Sequence, residues 1–275
     1  MQNIGIIGNG FVGDAISYSL QSHYNIFVHD TDKTKSKHDL SDVVHHCDII
    51  FICVPTPMST TNGIDLSYIY EVFDKIIQID SSEEKIFVVK STVVPGTCRS
   101  LERKYNVNVV MNPEFLTERF ARHDVMNPRS IVIGGEKKFR DIVYNVYKNV
   151  YDELIQSEVS NLTDFKYTLC THDEAEMIKY TTNVFFACKV TIMNELYDIC
   201  QAANIDYKNV IQGVLSDGRV FPMHVDVPGH DSSRGFGGKC FPKDINALNM
   251  FSHSLNVTSD VLQSVISKNK KYRNV

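Results

Sequence analysis

Cys240 stands in Gly235-Phe236-Gly237-Gly238-Lys239-Cys240-Phe241-Pro242-Lys243-Asp244. Glycines around one aromatic residue make a loop that lets a ligand approach the backbone closely. Pro242 suits the first turn of a helix. The spacing therefore predicts Cys240 just ahead of a helix N-terminus, flanked by Lys239 and Lys243. A helix N-terminus and nearby cations both stabilise a thiolate, the nucleophilic form of cysteine. Asp244 lies four residues on and could sit near the sulfur's face. Cys47, Cys53, Cys188 and Cys200 have apolar or helical surroundings and read as small buried hydrophobes.

Two further pairs share a four-residue spacing. Lys179 and Asn183 would lie on one helix face, where they could position a hydroxyl and stabilise an oxyanion. Spacing alone fits a solvated pair as readily. Glu114 and Glu118 follow Asn112-Pro113 at the end of an apolar run. Carboxylates at a strand's carboxyl end in an α/β sheet lie where ligands bind.

Gly8-Asn9-Gly10-Phe11-Val12-Gly13 is G-x-G-x-x-G, placed after a strand-like run and before a helix-like one. Gly8 allows the tight turn, Gly10 admits the pyrophosphate to the backbone, and Gly13 lets helix and strand pack closely. Asp30 falls 17 positions after Gly13, at the end of the second apolar run. A carboxylate there accepts from ribose hydroxyls and repels a 2′-phosphate, so NAD is expected over NADP. An FAD enzyme can open in the same way.

The elements needed to position these groups are legible. Apolar runs at residues 4–7, 26–28, 49–54, 86–89, 107–111 and 130–133 alternate with helix-like stretches at 11–21, 66–79 and 137–150. Such runs indicate a parallel sheet covered on both faces, a doubly wound Rossmann arrangement. Thr171 to Glu174 reads as a capping box. From there to Ala203 there is neither proline nor glycine, and Asn204 is a plausible stop. A helix at 207–215, a Gly/Pro-rich loop at 217–238 and further helix-like segments follow. The expected fold is α/β, with an NAD-binding domain at 1–168 and a helical domain with one long helix at 169–275.

Composition narrows the function classes. A chain of 275 residues with 43% hydrophobic and 22% charged residues can bury a sizeable core without staples. The net charge of −5 lacks the basic excess of a nucleic-acid binder. The basic cluster Lys268, Lys270, Lys271 and Arg273 reads as a solvated helix end. There is no apolar run long enough to span a membrane and no basic n-region at the N-terminus, so a cytoplasmic protein is expected. Seven cysteines without C-x-x-C fit neither a disulfide framework nor a zinc ribbon, and no metal is expected.

The motifs occur in a definite order: residues 8–13, Val54-Pro55-Thr56-Pro57, the stretch from Lys90-Ser91-Thr92 to Thr97, Asn112-Pro113-Glu114-Phe115-Leu116, Glu174 to Tyr180 with Asn183, and Gly235 to Asp244. In this the chain resembles the UDP-glucose/GDP-mannose dehydrogenase family. The resemblance implies NAD-dependent oxidation of a sugar-nucleotide primary alcohol to a carboxylate, UDP-glucose to UDP-glucuronate, through a cysteine thiohemiacetal and thioester. GDP-mannose or a UDP-N-acetylhexosamine would serve the same chemistry. It implies Cys240 as nucleophile, Lys179 with Asn183 for the oxyanion, Asp244 for proton handling through water, Glu118 for thioester hydrolysis and cofactor contact, and Glu114 as a neighbouring active-site carboxylate. Cofactor contacts are implied at Gly8, Gly10, Phe11, Val12, Gly13, Asp30, Lys35, Pro55, Thr56, Thr92 and Glu118, with Thr92 also contacting water. Substrate contacts are implied at Glu114, Phe115, Leu116, Lys179, Asn183, Arg219, Phe236 and Gly237.

Departures from the family pattern are visible too. Family members continue into a third domain that helps bind the substrate's nucleotide, whereas this sequence ends 31 residues after Asp244. Glu118 is followed by Arg119 rather than glycine or serine, and residues 227–231 form an insertion. His224 and His230 read as solvated loop histidines. A 3-hydroxyacid or 6-phosphogluconate-type dehydrogenase shares the layout but needs no cysteine. A non-catalytic NAD- or sugar-nucleotide-binding module is the non-enzyme alternative. The long helix exceeds what one small domain can cover, so homodimerisation through it is expected.

Overall fold

The computed structural model describes residues 1–59, 63–156 and 165–274. The chain divides into two compact units, Met1–Pro57 with Ile64–Lys179, and Met58–Gly63 with Tyr180–Val275.

The first unit opens β1 (Asn3–Ile7), α1 (Phe11–Leu20), β2 (Asn25–His29), α2 (Leu40–His46), β3 (Ile49–Ile52), α3 (Ser67–Ile79), β4 (Ile86–Val89), α4 (Thr97–Tyr105) and β5 (Asn108–Met111). A single 3-10 turn at Glu118–Phe120 leads to α5 (Ala121–Met126), β6 (Ser130–Gly135), α6 (Lys137–Gln156) and β7 (Lys166–Cys170). Among the described residues the strands form one sheet in the order β2-β1-β3-β4-β5-β6-β7. β1 to β5 are mutually parallel, as the apolar runs predict. β6 departs from that expectation by pairing antiparallel with β5, and β7 then runs parallel to β6.

Alternation along each strand feeds two cores. Ile4, Ile6, Ile49, Phe51, Ile86, Val88 and Val110 pack with α1, α5 and α6 residues such as Ile16, Val125 and Tyr147. Ile7, Ile50, Ile52, Phe87, Val89 and Met111 pack on the other face with Val43, Phe73 and Leu101 of α2, α3 and α4. Covering both faces removes both side-chain rows from water, each large side chain contributing about 1.5–3 kcal/mol.

α7 (His172–Ala202) begins at the expected capping box: Glu174 Oε2 accepts from the Thr171 N–H at 2.8 Å. It ends before Asn204, whose φ of 56° terminates it in the left-handed region. In the second unit α8 (Tyr207–Ser216), α9 (Phe241–Ser254) and α10 (Asp260–Arg273) follow. Ala187, Phe236, Ile245 and Val265 make one small core there, and Cys200, Tyr207, Ile211 and Val225 another. Among the described residues no helix is long and apolar enough to cross a membrane.

Candidate active site

In the first unit the carboxyl edge of the sheet carries a registered row. Ile7 pairs with His29 and Ile52, Ile52 with Val89, and Val89 with Met111. Each is the last residue of its strand, so the next residues, Gly8, Asp30, Cys53, Lys90 and Asn112, emerge side by side. This is the edge at which open α/β sheets bind ligands.

Gly8 holds φ +92°, and a Cβ there would lie 2.7 Å from the Cys53 carbonyl oxygen. A Cβ on Gly13 would overlap the Gly8 carbonyl oxygen, while one on Gly10 would meet nothing within 4 Å. Two glycines thus make the turn and the third faces open space. Gly10 caps α1 without a side-chain bond, which leaves the first-turn N–H groups to a phosphate. Asp30 is held by the Asn9 N–H on Oδ2 at 2.5 Å and the Asp32 N–H on Oδ1 at 2.8 Å. Each oxygen keeps a second lone pair for ribose hydroxyls. An open depression beside it is lined by His29, Asp30, Thr31, Lys33, Ser36 and His38. Asn9 also donates to the Lys35 carbonyl at 2.8 Å, tying Lys35 to the glycine turn. Phe11 and Val12 are half-buried at the start of α1. These residues fit NAD, with open backbone for the pyrophosphate and a fixed carboxylate for the ribose.

Two loops at the same edge are bound to each other. The Thr56 hydroxyl donates to the Thr92 carbonyl at 2.8 Å and Ser91 Oγ to the Val54 carbonyl at 2.6 Å, beside exposed Pro55. Glu176, 0% exposed on α7, accepts from the Gly96 and Cys98 N–H groups at 2.6 and 2.8 Å and so caps α4 from another element. Burial pushes its carboxyl above the usual range, against those hydrogen bonds.

The two glutamates after β5 separate. Glu114 is 8% exposed and takes the Lys179 ammonium on Oε1 at 3.0 Å, on its main-chain oxygen at 2.6 Å, and the Leu116 N–H on Oε2 at 2.7 Å. Burial works to raise its carboxyl, but the Lys179 charge, these hydrogen bonds and the Lys90 charge together hold it below the usual range. The Lys179 ammonium also lies 5.3 Å from the Phe115 ring centre. Glu118 is exposed in the 3-10 turn. Lys90 joins the buried group unannounced by any motif role, donating to Asn112 Oδ1 at 2.9 Å.

In the second unit Cys240 is the N-cap of α9, with Pro242 in the first turn, as the spacing predicts. Its partly buried thiol therefore adjoins a helix N-terminus, which favours negative charge. Asp244, one turn on, is 0% exposed. Its carboxylate accepts from Asn183 Nδ2 at 2.5 Å and from Lys243 Nζ at 2.6 Å. Burial pushes the Cys53 and Cys47 thiols up to about 12 and raises the Cys98 thiol as well, which suits inert positions.

Sequence reasoning missed what holds the glycine loop. Asn269 pairs with the Phe236 backbone, receiving its N–H at 2.7 Å and donating to its carbonyl at 3.0 Å. Asn194 Oδ1 accepts from the Gly235 N–H at 3.1 Å. Arg273 donates to the Gly235 carbonyl at 2.9 Å and to Asp231 at 2.7 Å, its guanidinium standing where a Cβ on Gly237 would go. Arg273 is thus a clamp rather than a solvated helix end. His224 is also not a solvated loop residue: its ring lies 4.8 Å from Phe186 and 5.3 Å from Phe241. Burial and the Lys189 charge lower its pKa. Arg219 is exposed and paired with Asp217 at 2.5 Å. No residue-type signal marked the Asn269, Asn194, Arg273 and His224 contacts, since each joins positions far apart in sequence.

The fold and the edge together define a Rossmann-type dinucleotide-binding unit joined to a helical unit that carries a cysteine at a helix N-terminus. Residues 27–155 match the NAD-binding domain of the UDP-glucose/GDP-mannose dehydrogenase family, and residues 173–271 match its central domain. The chain belongs to that family. It is 34% identical over 237 residues to UDP-glucose 6-dehydrogenase of Rickettsia bellii, covering 84% of this chain and 51% of the relative. It is 31% identical over 254 residues to GDP-mannose 6-dehydrogenase of Pseudomonas savastanoi pv. phaseolicola, covering 87% and 54%. A UDP-glucose dehydrogenase structure from Pyrobaculum islandicum superposes with a TM-score of 0.85 at 25% identity, covering 98% of this chain and 68% of that one. The chain spans about half the length of the curated relatives it matches.

Proposed function

We propose that the protein oxidises the primary alcohol of a sugar nucleotide to a carboxylate, with UDP-glucose as substrate and two NAD consumed per sugar. The observation that carries this reading is Cys240 at the N-terminus of α9 with buried Asp244 one turn on, fixed by Asn183. A dehydrogenase performing a single oxidation has no use for that arrangement.

Bound NAD supplies the hydride acceptor for each oxidation. Lys179 steadies the alcohol oxygen and the oxyanion derived from it, its ammonium anchored on Glu114. The Cys240 thiolate adds to the aldehyde carbon, and the resulting thiohemiacetal is oxidised to a thioester. Water then attacks the thioester carbonyl; the C–S bond breaks, and sulfur leaves as thiolate. In this reading Glu118 and Asp244 take the water's proton through solvent, and Asn183 keeps Asp244 oriented. Gly8, Gly10, Phe11, Val12, Gly13, Asp30, Lys35, Pro55, Thr56, Thr92 and Glu118 hold the cofactor. Phe115, Leu116, Arg219, Phe236 and Gly237 contact the substrate.

The test incubates purified chain with NAD and UDP-glucose, GDP-mannose and UDP-N-acetylhexosamines. Two NADH per sugar support the reading, one indicates a simple dehydrogenase, and none indicates a binding module. Cys240→Ser must abolish net four-electron turnover; unchanged turnover sinks the mechanism.

We further propose a homodimer through α7, in a reducing cytoplasm. Phe185, Ile192, Leu196 and Ile199 are exposed along that helix, and the first, second and last of these recur every seven residues. An apolar stripe of this kind calls for a partner. All seven cysteines are free, which suits a reducing compartment.

A further inference from the structure

Lys90 has no role in the chemistry above, yet it is 5% exposed. It leaves β4 in the registered row, between Cys53 after β3 and Asn112 after β5. Its ammonium donates to Asn112 Oδ1 at 2.9 Å, and the same oxygen accepts the Tyr147 hydroxyl at 2.5 Å. Asn112 Nδ2 is committed to the Val132 carbonyl at 2.7 Å. The groups that face Lys90 are Cys53 from the β3 exit, Glu114 from the β5 exit, Lys179 from α7 and the Tyr147 ring of α6, 6.0 Å away.

Buried Glu114 thus lies with two buried ammonium groups, Lys179 in contact with it and Lys90 within reach of its charge. Asn112 is the one hydrogen-bond acceptor of Lys90 among the described residues. An ammonium has three donors, so two are left over in a buried place. Packing alone does not account for this, because an apolar side chain there would avoid the desolvation cost.

We propose that Lys90 is a positioning residue of the active site, holding Asn112 and Glu114 so that Glu114 presents Lys179, and adding its own charge to the field that stabilises a substrate oxyanion. This rests on the dehydrogenase reading. Burial lowers the Lys90 ammonium to about 8, partly opposed by Cys53 and Glu114, so its charge is lost as pH rises past that value.

The full chain, as wild type, Lys90→Met and Lys90→Arg, is assayed with NAD and UDP-glucose from about pH 6.5 to about pH 9.5. Lys90→Met lowers kcat at least about tenfold with KM for NAD changed less than about twofold, and it removes the alkaline limb. Lys90→Arg recovers kcat several-fold over Lys90→Met and moves that limb to higher pH. Equal losses in both variants, or an alkaline limb that persists in Lys90→Met, overturn the proposal. A second readout needs no turnover: the Lys90 Nζ signal in 15N-lysine NMR, assigned by its loss in Lys90→Arg, is titrated in wild type and in Glu114→Gln. A midpoint at lower pH in Glu114→Gln supports the coupling, and an unmoved midpoint overturns it. If wild type forms no NADH with any sugar nucleotide, the dehydrogenase reading fails and the NMR result alone judges Lys90.

Discussion

Glu114 and Glu118 show how environment divides two identical side chains. The first is buried against Lys179, while the second is exposed in a 3-10 turn. Glu114→Ala would leave the buried Lys179 without its carboxylate, a loss of about 3–5 kcal/mol. Urea unfolding should register it, whereas Glu118→Ala should leave the midpoint nearly unchanged. The Lys90 ammonium gives a pH-linked stability. Its folded value, about 8, lies below the ordinary lysine value. Its contribution is therefore present above the unfolded value and is lost as pH falls through the folded one. The stability of wild type minus that of Lys90→Met should rise by roughly 3 kcal/mol between about pH 8 and about pH 10.5. A flat difference would show that Lys90 does not titrate there. Asn183→Ala removes a donor from buried Asp244 and should cost about 1–3 kcal/mol together with kcat.

At the scale of elements, the groups that matter are presented by caps and strand exits. Glu176 ties the start of α7 to the N-terminus of α4, one turn before Lys179. Glu176→Ala should leave one buried and one part-buried N–H group without acceptors and lower the urea midpoint by an amount equivalent to about 2–4 kcal/mol. Gly13→Ala places a methyl group on the Gly8 carbonyl and should abolish NAD binding in calorimetry. The elements themselves were largely legible in the sequence. The run at 86–89 is β4 to the residue, and the capping box at Thr171 opens α7. The direction of β6 was not, because a strand buried on both faces reads as the same apolar run either way; direction lives in the hydrogen-bond ladder. β7 escaped notice because Lys166–Cys170 is mostly exposed or half-exposed and lacks an apolar run.

At the scale of the whole molecule, ligand and partner should both leave measurable marks. NAD at about a hundredfold over its Kd should stabilise the chain by about 2.7 kcal/mol in thermal unfolding. NADP should stabilise it far less, because Asp30 would face the 2′-phosphate; equal shifts would contradict the assigned role of Asp30. Ile192→Glu on the exposed stripe of α7 should yield a monomer by light scattering at micromolar concentration if that helix forms the dimer. A wild type already monomeric there would remove the dimer proposal.

The sequence by itself determined the class of fold, the glycine turn, the long helix and the position of Cys240 at a helix start. Each of these is written in neighbours a few residues apart, through φ preferences, caps and apolar periodicity. Only the tertiary structure decided that Glu114 is buried and Glu118 exposed, that Asp244 is held by Asn183, that Arg273 and Asn269 clamp the glycine loop, and that Lys90 joins the buried charges. Burial and pairing belong to residues that meet across the fold, 61 positions apart for Asn183 and Asp244, and no local pattern of residue types encodes them.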